Sequence, residues 1–424
     1  MSSTPSHIAA IISALQFQGG SREGLRSLVD SQWEDIFSRW EVIRLTIPLR
    51  QTCGEDLPAW IRSRIDQNLA NNAKRFERIK ADYCNFANAL QGTGIEHLVL
   101  KGFTLGPGFV EHPRFRFQSD IDLYCPSESI LPARDALAKL GYEPESAVDY
   151  QFADHLPSMM SKIAWKWKGN YYDPEIPVSF EFHFCFWNEK ILRLHPNGLD
   201  QFWSRRVMVT LDNISFPALN PVDNFGYAAL NLTRNLLRDQ ASPHQIYELA
   251  RFLHTNADNE IFWNKWREMH HDSLRRLEAL SCRAALHCFG CRLPEVMEKE
   301  MENLPIPVKI WFNKFPNFSL SPKFQISRDW LWMHLSLLES SADRRFVLGK
   351  RLFPKRTSTM KHFASSETSS FGLHRWYLHV RKHARGFTYK ISRIAYLLQF
   401  VPSVFWRSAQ FWWSVKICEY SSKI

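Results

Sequence analysis

Apolar residues recur at helical spacing through the first part of the chain: Ile8, Ile11, Ile12 and Leu15, then Trp33, Ile36 and Trp40, then a long polar-faced run from Ala59 to Leu90. These predict a helical N-terminal region over 1–90. The texture changes after Gly92 and Gly94, where Ile95-Glu-His-Leu-Val-Leu100 is a compact apolar run suited to a buried strand. Past Gly106, Pro107 and Gly108, Ser119-Asp-Ile-Asp-Leu-Tyr124 reads as a second strand, stopped by Pro126. Ile130, Leu131, Ala133, Ala136, Leu137 and Leu140 then share one face of a helix that closes at Gly141. Alternation in Lys162–Lys168 and again in Val178–Phe184, with Gly169-Asn170 between them, predicts a hairpin. Its second strand sets Ser179, Glu181 and His183 on one face and Phe180, Phe182 and Phe184 on the other. Beyond Pro221 helical patterns return over Val222–Leu237, His244–Phe252 and Leu274–Phe289, followed by a Pro-containing stretch near 305–322. A Ser/Thr-rich stretch, Thr357–Ser370, reads as a linker. The expected fold is α+β: a small mixed β-sheet core over 91–220, flanked by helical regions over 1–90 and 221–354, with a tail over 355–424.

Composition agrees with a globular chain: 424 residues, 45% hydrophobic and 23% charged. The most apolar stretch, Ile394–Trp406, is broken by Gln399, Pro402 and Ser403, short of the roughly 18 apolar residues a spanning helix needs. The start, Met-Ser-Ser-Thr-Pro-Ser-His, lacks the basic region of a secretory signal, so a cytoplasmic location is expected. The net charge of +10 is unevenly placed. From Lys355 onward there are twelve Lys/Arg against two acids, Glu367 and Glu419, which leaves 41 of each sign in residues 1–354. Eight cysteines are too sparse for a disulfide framework. Cys282, His287, Cys288 and Cys291 cluster with zinc-ligand residue types. They also fit a helix, Ser273–Phe289, capped by Gly290, with the thiols as small core residues.

Candidate chemistry centres on Asp120-Ile-Asp122. Strand alternation puts both carboxylates on one face with Ile121 turned to the core, and two such anions stand together at a cost unless a cation lies between them. A third acid on a neighbouring strand would complete a set able to hold two divalent ions for displacement at phosphorus. Glu181 is the best third acid; the alternative is an ion pair with Lys166 or Lys168 across the predicted hairpin. Gly102, at a strand-to-helix turn, lets phosphate approach backbone N–H groups, and Lys101 and Arg116 would neutralise triphosphate charge.

Leu98-Val-Leu-Lys-Gly102, Arg116-Phe-Gln-Ser-Asp-Ile-Asp-Leu123, a helix closing in Leu140-Gly-Tyr142, and Phe180-Glu-Phe-His183 together resemble the uncharacterised bacterial nucleotidyltransferase family of the DNA polymerase β-like superfamily. The resemblance spans about Ala70 to Leu253. It implies a nucleotidyltransferase core in 91–220 that moves a nucleoside monophosphate from an NTP, with Mg²⁺ or Mn²⁺, to an acceptor that is a protein, an RNA or a small molecule. Gly102 takes the place of the nucleotide-binding glycine, with Lys101, Arg116 and Ser119 completing the nucleotide-binding set. Asp120, Asp122 and Glu181 are the implied metal ligands. His183 matches the family's histidine, as a general base or a group that orients the acceptor. The chain departs from the pattern at Phe103, where the superfamily has Ser, and at Asn231, where a histidine is expected.

The tail alternates bases with large aromatics, Arg375-Trp-Tyr, Arg381-Lys-His, Tyr389-Lys, Phe405-Trp-Arg and Phe411-Trp-Trp. Three readings stay open: peripheral contact with an anionic membrane through residues 371–424, nucleic-acid contact, or helices that pack on the rest of the protein. A catalytically weak family member that works as a binding module through this tail is the alternative to an enzyme.

Overall fold

The computed structural model describes residues 6–145, 154–162, 164–238, 240–314, 329–352 and 409–416. The strands are β1 (Leu98–Leu100), β2 (Asp120–Tyr124), β3 (Tyr142–Pro144), β4 (Met159–Ser161), β5 (Ser179–His183), β6 (Val207–Leu211) and β7 (Ile214–Ala218). They form one mixed sheet in the order β3-β4-β5-β2-β1-β7-β6. Its centre decides the chemistry: β2 runs antiparallel to β1 and parallel to β5.

Alternation sorts the side chains of these strands. Ile121, Leu123, Phe180 and Phe182 are buried in a core shared with Phe76, Ile79, Tyr83 and Phe86 of the long helix Ala59–Leu90 and with Ile130, Ala133 and Leu137 of helix Ser127–Lys139. The Phe86 ring lies 5.4 Å from Phe180 and 5.8 Å from Phe182. Helices therefore cover one face of the sheet, and the alternate residues Asp120, Asp122 and Glu181 turn to the other. Phe184, expected with the buried phenylalanines, lies past the end of β5 and is exposed.

The hairpin is where the sequence reading needs correction. The antiparallel partner of β5 is β4, with Met159 opposite Phe180 and Met160 opposite Ser179. Residues 164–168 form no strand, and Ile163 lies outside the described residues. Side chains hold this segment: Trp165 Nε1 donates to Asp173 Oδ2 at 3.1 Å and Lys168 pairs with the same carboxylate at 3.2 Å. Alternation of Lys and Trp gave a strand signal without a strand neighbour. Conversely the β6–β7 hairpin, turning at Asp212 (φ 53°) and Asn213, was not anticipated.

Two compact units part between Leu304 and Pro305. The first holds the sheet and the helices Pro221–Leu237, Pro243–Asn256, Glu260–Met269, Asp272–Phe289 and Glu295–Glu302. Helix Asp272–Phe289 ends as expected on Gly290 (φ 57°), whose N–H bonds to the Leu286 carbonyl, and Cys282, Cys288 and Cys291 are buried. The second unit holds Ile306–Lys314, Asp329–Leu337, Ser341–Leu352 and a helical stretch over 409–416. In that stretch Phe411 and Val415 are buried, Trp413 is exposed, and Lys314 Nζ donates to Ser414 Oγ at 3.2 Å. Thr357–Ser370 and the rest of the basic tail lie outside the described residues. Among the described residues no helix is long and apolar enough to cross a membrane.

Candidate functional site

The β2–β5 register puts Asp122 opposite Glu181 and Tyr124 opposite His183. One ligand atom from each of Asp122, Glu181 and His183 lies within 4.8 Å of the others, a spacing that could hold a metal ion. Asp122 Oδ1 accepts from Lys101 Nζ at 2.6 Å and lies 2.8 Å from His183 Nε2. Burial works to raise the Asp122 carboxyl, but Lys101 and the His183 hydrogen bond outweigh it and hold it well below the usual range. Burial, then Lys101, lower His183. The neutral ring so favoured donates from Nε2, and Nδ1 has no hydrogen-bond partner. Glu181 is the open member, its side chain 22% exposed. It accepts from Ser158 Oγ at 3.1 Å and lies 3.9 Å from His155 Nε2. Neither Lys166 nor Lys168 pairs with it; Lys168 is on Asp173.

Asp120 stands outside this trio of ligand atoms. Burial first, then the charges of Asp122 and Glu181, push its carboxyl up to about 7 against the pull of Lys101 and Arg44. It therefore feels the same excess of negative charge. The β1 turn lies beside it. Gly102 has φ 47°, and a Cβ there would come within 2.3 Å of Gln118 Nε2, the amide that donates to the Asp120 carbonyl at 2.7 Å. Only glycine meets both demands easily. Lys101 itself is left-handed, φ 50° and ψ −148°. Thr104 Oγ1 fastens the turn to the Lys101 carbonyl at 2.8 Å and to Asn224 at 3.2 Å. Phe103 points into the core, its ring 5.0 Å from Phe216 and 5.4 Å from Tyr83, which accounts for a residue other than Ser there. Ser119 is half-buried and its carbonyl accepts from Ser179 N–H at 3.3 Å. Arg116 is engaged elsewhere, in an ion pair with Glu248 at 2.9 Å.

Sequence reasoning missed a further layer. Lys101, Arg116, Asn224, Tyr227, Asn231 and Glu248 line a cleft of about 410 Å³, open solvent included. Tyr227 is buried with no partner for its hydroxyl, and burial, then the charges of Asp122, Cys185 and Glu181, raise its phenol well above the usual value. Arg234 donates to Asn231 Oδ1 at 2.5 Å and pairs with Asp154, whose carboxylate lies 3.8 Å from His183 Nδ1. A signal existed for part of this. Asn224, Tyr227, Asn231 and Arg234 recur at spacings of three and four along an otherwise apolar helix, a polar stripe on a face that should be buried. Asp154 and His155 carry no such mark, because only the fold brings them to β5.

No curated protein and no solved structure matches the chain. A family model described as uncharacterised nucleotidyltransferase matches residues 44–290, a span that takes in all of β1 to β7 and the helices on either side. The chain belongs to this uncharacterised nucleotidyltransferase family.

Proposed function

We propose that the protein transfers a nucleoside monophosphate from an NTP to an acceptor at the face of β2 and β5. The observation that carries this reading is the convergence of Asp122 and Glu181, with Asp120 beside them, next to the Lys101-Gly102 turn. Asp122 and Glu181 converge within 4.8 Å and Asp120 feels both charges, with Lys101 and Arg44 opposing them; such a set fits divalent cations, and the oxygen donors suit Mg²⁺ or Mn²⁺. Asp120, Asp122 and Glu181 would be the ligands in this reading, and ions held there would supply charge stabilisation at the attacking and leaving oxygens.

The chain's own residues do the rest. Lys101, Gly102, Arg116 and Ser119 hold the triphosphate, with Lys101 and Arg116 exchanging their present carboxylate partners for phosphate oxygens. The acceptor oxygen bonds to the α-phosphorus as the bond to the bridging oxygen breaks and pyrophosphate leaves. The acceptor proton passes to Glu181, the acid most open to solvent. His183, fully buried on Asp122, is a positioning residue: it fixes that carboxylate's orientation. The need for NTP, and cysteines that form no disulfide among the described residues, suit a cytoplasmic setting.

The test is transfer of label from an α-labelled NTP into cell-extract acceptors. Asp120→Asn is expected to abolish transfer while the protein stays folded, since the change removes an anion that burial and the charges of Asp122 and Glu181 disfavour. Labelling at the wild-type rate would sink the assignment. One observation favours a second reading, the catalytically weak binding module: the Lys101 ammonium already sits on Asp122 at 2.6 Å. Thermal stabilisation of the wild type by NTP only when Mg²⁺ is present supports the enzyme; its absence supports the module.

A further inference from the structure

The cleft at Lys101 does not stop at Arg116. Phe109, Arg116 and Glu248 line it and also line a shallow neighbouring pocket, open to solvent, which reaches Arg44, Ile47 and Arg251. Arg44 ends helix Asp30–Ile43 in the left-handed conformation, φ 63° and ψ 31°, and its guanidinium lies over the Phe117 ring at 4.4 Å. Among the described residues that guanidinium has no hydrogen bond and no ion pair; Asp120 and Glu248 are the acids whose fields reach it. Arg251 has a buried Nε with no hydrogen-bond partner and only a loose pair, at 3.6 Å, with exposed Glu111. Arg116, by contrast, is matched by Glu248. Two guanidinium forks from separate helices thus face one pocket with donors to spare, and Ile47, Phe109 and Phe117 give that pocket an apolar wall.

We propose that this pocket is the acceptor subsite and that the acceptor is a phosphomonoester with an apolar body. Arg44 and Arg251 anchor its phosphate, the apolar wall holds its body, and a hydroxyl at its other end reaches past Arg116 toward Asp122. This rests on the nucleotidyl-transfer reading above. Phosphate fits better than carboxylate because it offers three oxygens to two separate forks.

The experiment is calorimetric binding of phenyl phosphate to the full chain without metal, with benzoate and orthophosphate as comparison probes. Phenyl phosphate is expected to bind more tightly than either, and Arg44→Gln and Arg251→Gln each to weaken it at least about tenfold. Arg251→Gln alters a partly exposed side chain and decides the matter if Arg44→Gln fails to fold. Three results would overturn the proposal: no binding to the wild type, unchanged affinity in Arg251→Gln, or displacement of phenyl phosphate by MgATP, which would move it to the Lys101 turn. Benzoate binding as tightly as phenyl phosphate would overturn the phosphate class. Stabilisation of the wild type by MgATP alone is a separate arm: its failure removes the nucleotidyl-transfer reading, and with it the acceptor role, while anion binding at Arg44 is still read independently.

Discussion

Asp122 and Asp223 are both buried aspartates bound to a histidine and a basic side chain, yet their surroundings are built in opposite ways. Asp223 receives Arg205 through two bonds of 2.7 and 2.9 Å, Asn220 Nδ2 at 2.5 Å and His270 Nε2 at 3.1 Å. The other nitrogen of His270 lies 2.8 Å from Glu278 Oε1, and Trp266 Nε1 donates to Glu278 Oε2 at 2.7 Å. Two carboxylates meet an arginine and a histidine, so the cluster is neutral. Gly226 lets it pack this tightly: a Cβ there would come within 2.5 Å of Glu278 Oε1. Around Asp122 the tally is different. Among the described residues Lys101 is the only ammonium or guanidinium paired with Asp122, while Glu181 and Asp120 add negative charge that the pull of Lys101 and Arg44 does not outweigh. A closed network serves folding; surplus charge of one sign persists where a ligand is meant to settle it.

The largest expected effect breaks the closed side. His270→Ala leaves Asp223 and Glu278 without the cation between them, at about 3–5 kcal/mol of stability, measurable by urea denaturation. The pH dependence follows. Burial would lower the His270 imidazolium, but Glu278 and Asp223 outweigh it and hold it up to about 9. A histidine raised in the folded state contributes stability that is whole below its unfolded value, about 6.5, and is lost as pH rises through about 9. The wild type should therefore lose stability across that window and His270→Ala should be flatter. Parallel curves for the two would mean the cluster is not the neutral lock described.

The next prediction has the opposite sign. Asp120→Asn removes an anion that the fold tolerates poorly, so it should stabilise the protein by at least about 1 kcal/mol near pH 8 without metal. Asp120 is raised to about 7, above its unfolded value near 3.8. Its contribution is thus most favourable below that lower value and is lost as pH rises through about 7. The gain from Asp120→Asn should shrink toward pH 4, and saturating Mg²⁺ should reverse it, because the wild type alone then gains a ligand. A melting temperature unmoved at every pH would show that the three acids do not share one field.

Much of the open side was legible and little of the closed side was. Asp120-Ile-Asp122 and Phe180-Glu-Phe-His183 announce themselves because strand alternation is local, and the burial of Ile121, Phe180 and Phe182 follows from it. The parallel pairing that joins these segments was not legible, since it depends on which strands become neighbours. The members of the Asp223, His270 and Glu278 lock lie up to 55 positions apart, on two helices and the C-terminal cap of a third, and each alone looks like a solvated surface residue. Helix Glu260–Met269, which carries Trp266, was itself missed; Trp263 and Trp266 are buried there in a stretch otherwise rich in polar residues. Arg44 carries no sequence mark for the same reason. Nothing near it in sequence points to Phe117 or Arg251, which only packing brings to the same pocket.

The smallest effect sharpens the contrast at the level of backbone. Among the described residues, left-handed backbone outside glycine occurs at Arg44, Lys101, Arg193 and Asp212. Two of these are cations, Lys101 lining the cleft and Arg44 lining the pocket beside it, and none belongs to the Asp223 lock. Strain of this kind costs roughly 1–3 kcal/mol and persists where surrounding structure fixes it. Lys101→Met removes the ammonium and keeps the strained backbone; Lys101→Gly removes the ammonium and relieves it. Both lose the counter-ion of Asp122, so both should melt below the wild type and bind NTP more weakly. Glycine also loosens the unfolded chain, which offsets part of the relief. The glycine variant should nonetheless be the more stable of the two, by about 1 kcal/mol. If the methionine variant proves equal or better, the turn stores no strain, and the difference between the two clusters lies in their charges alone.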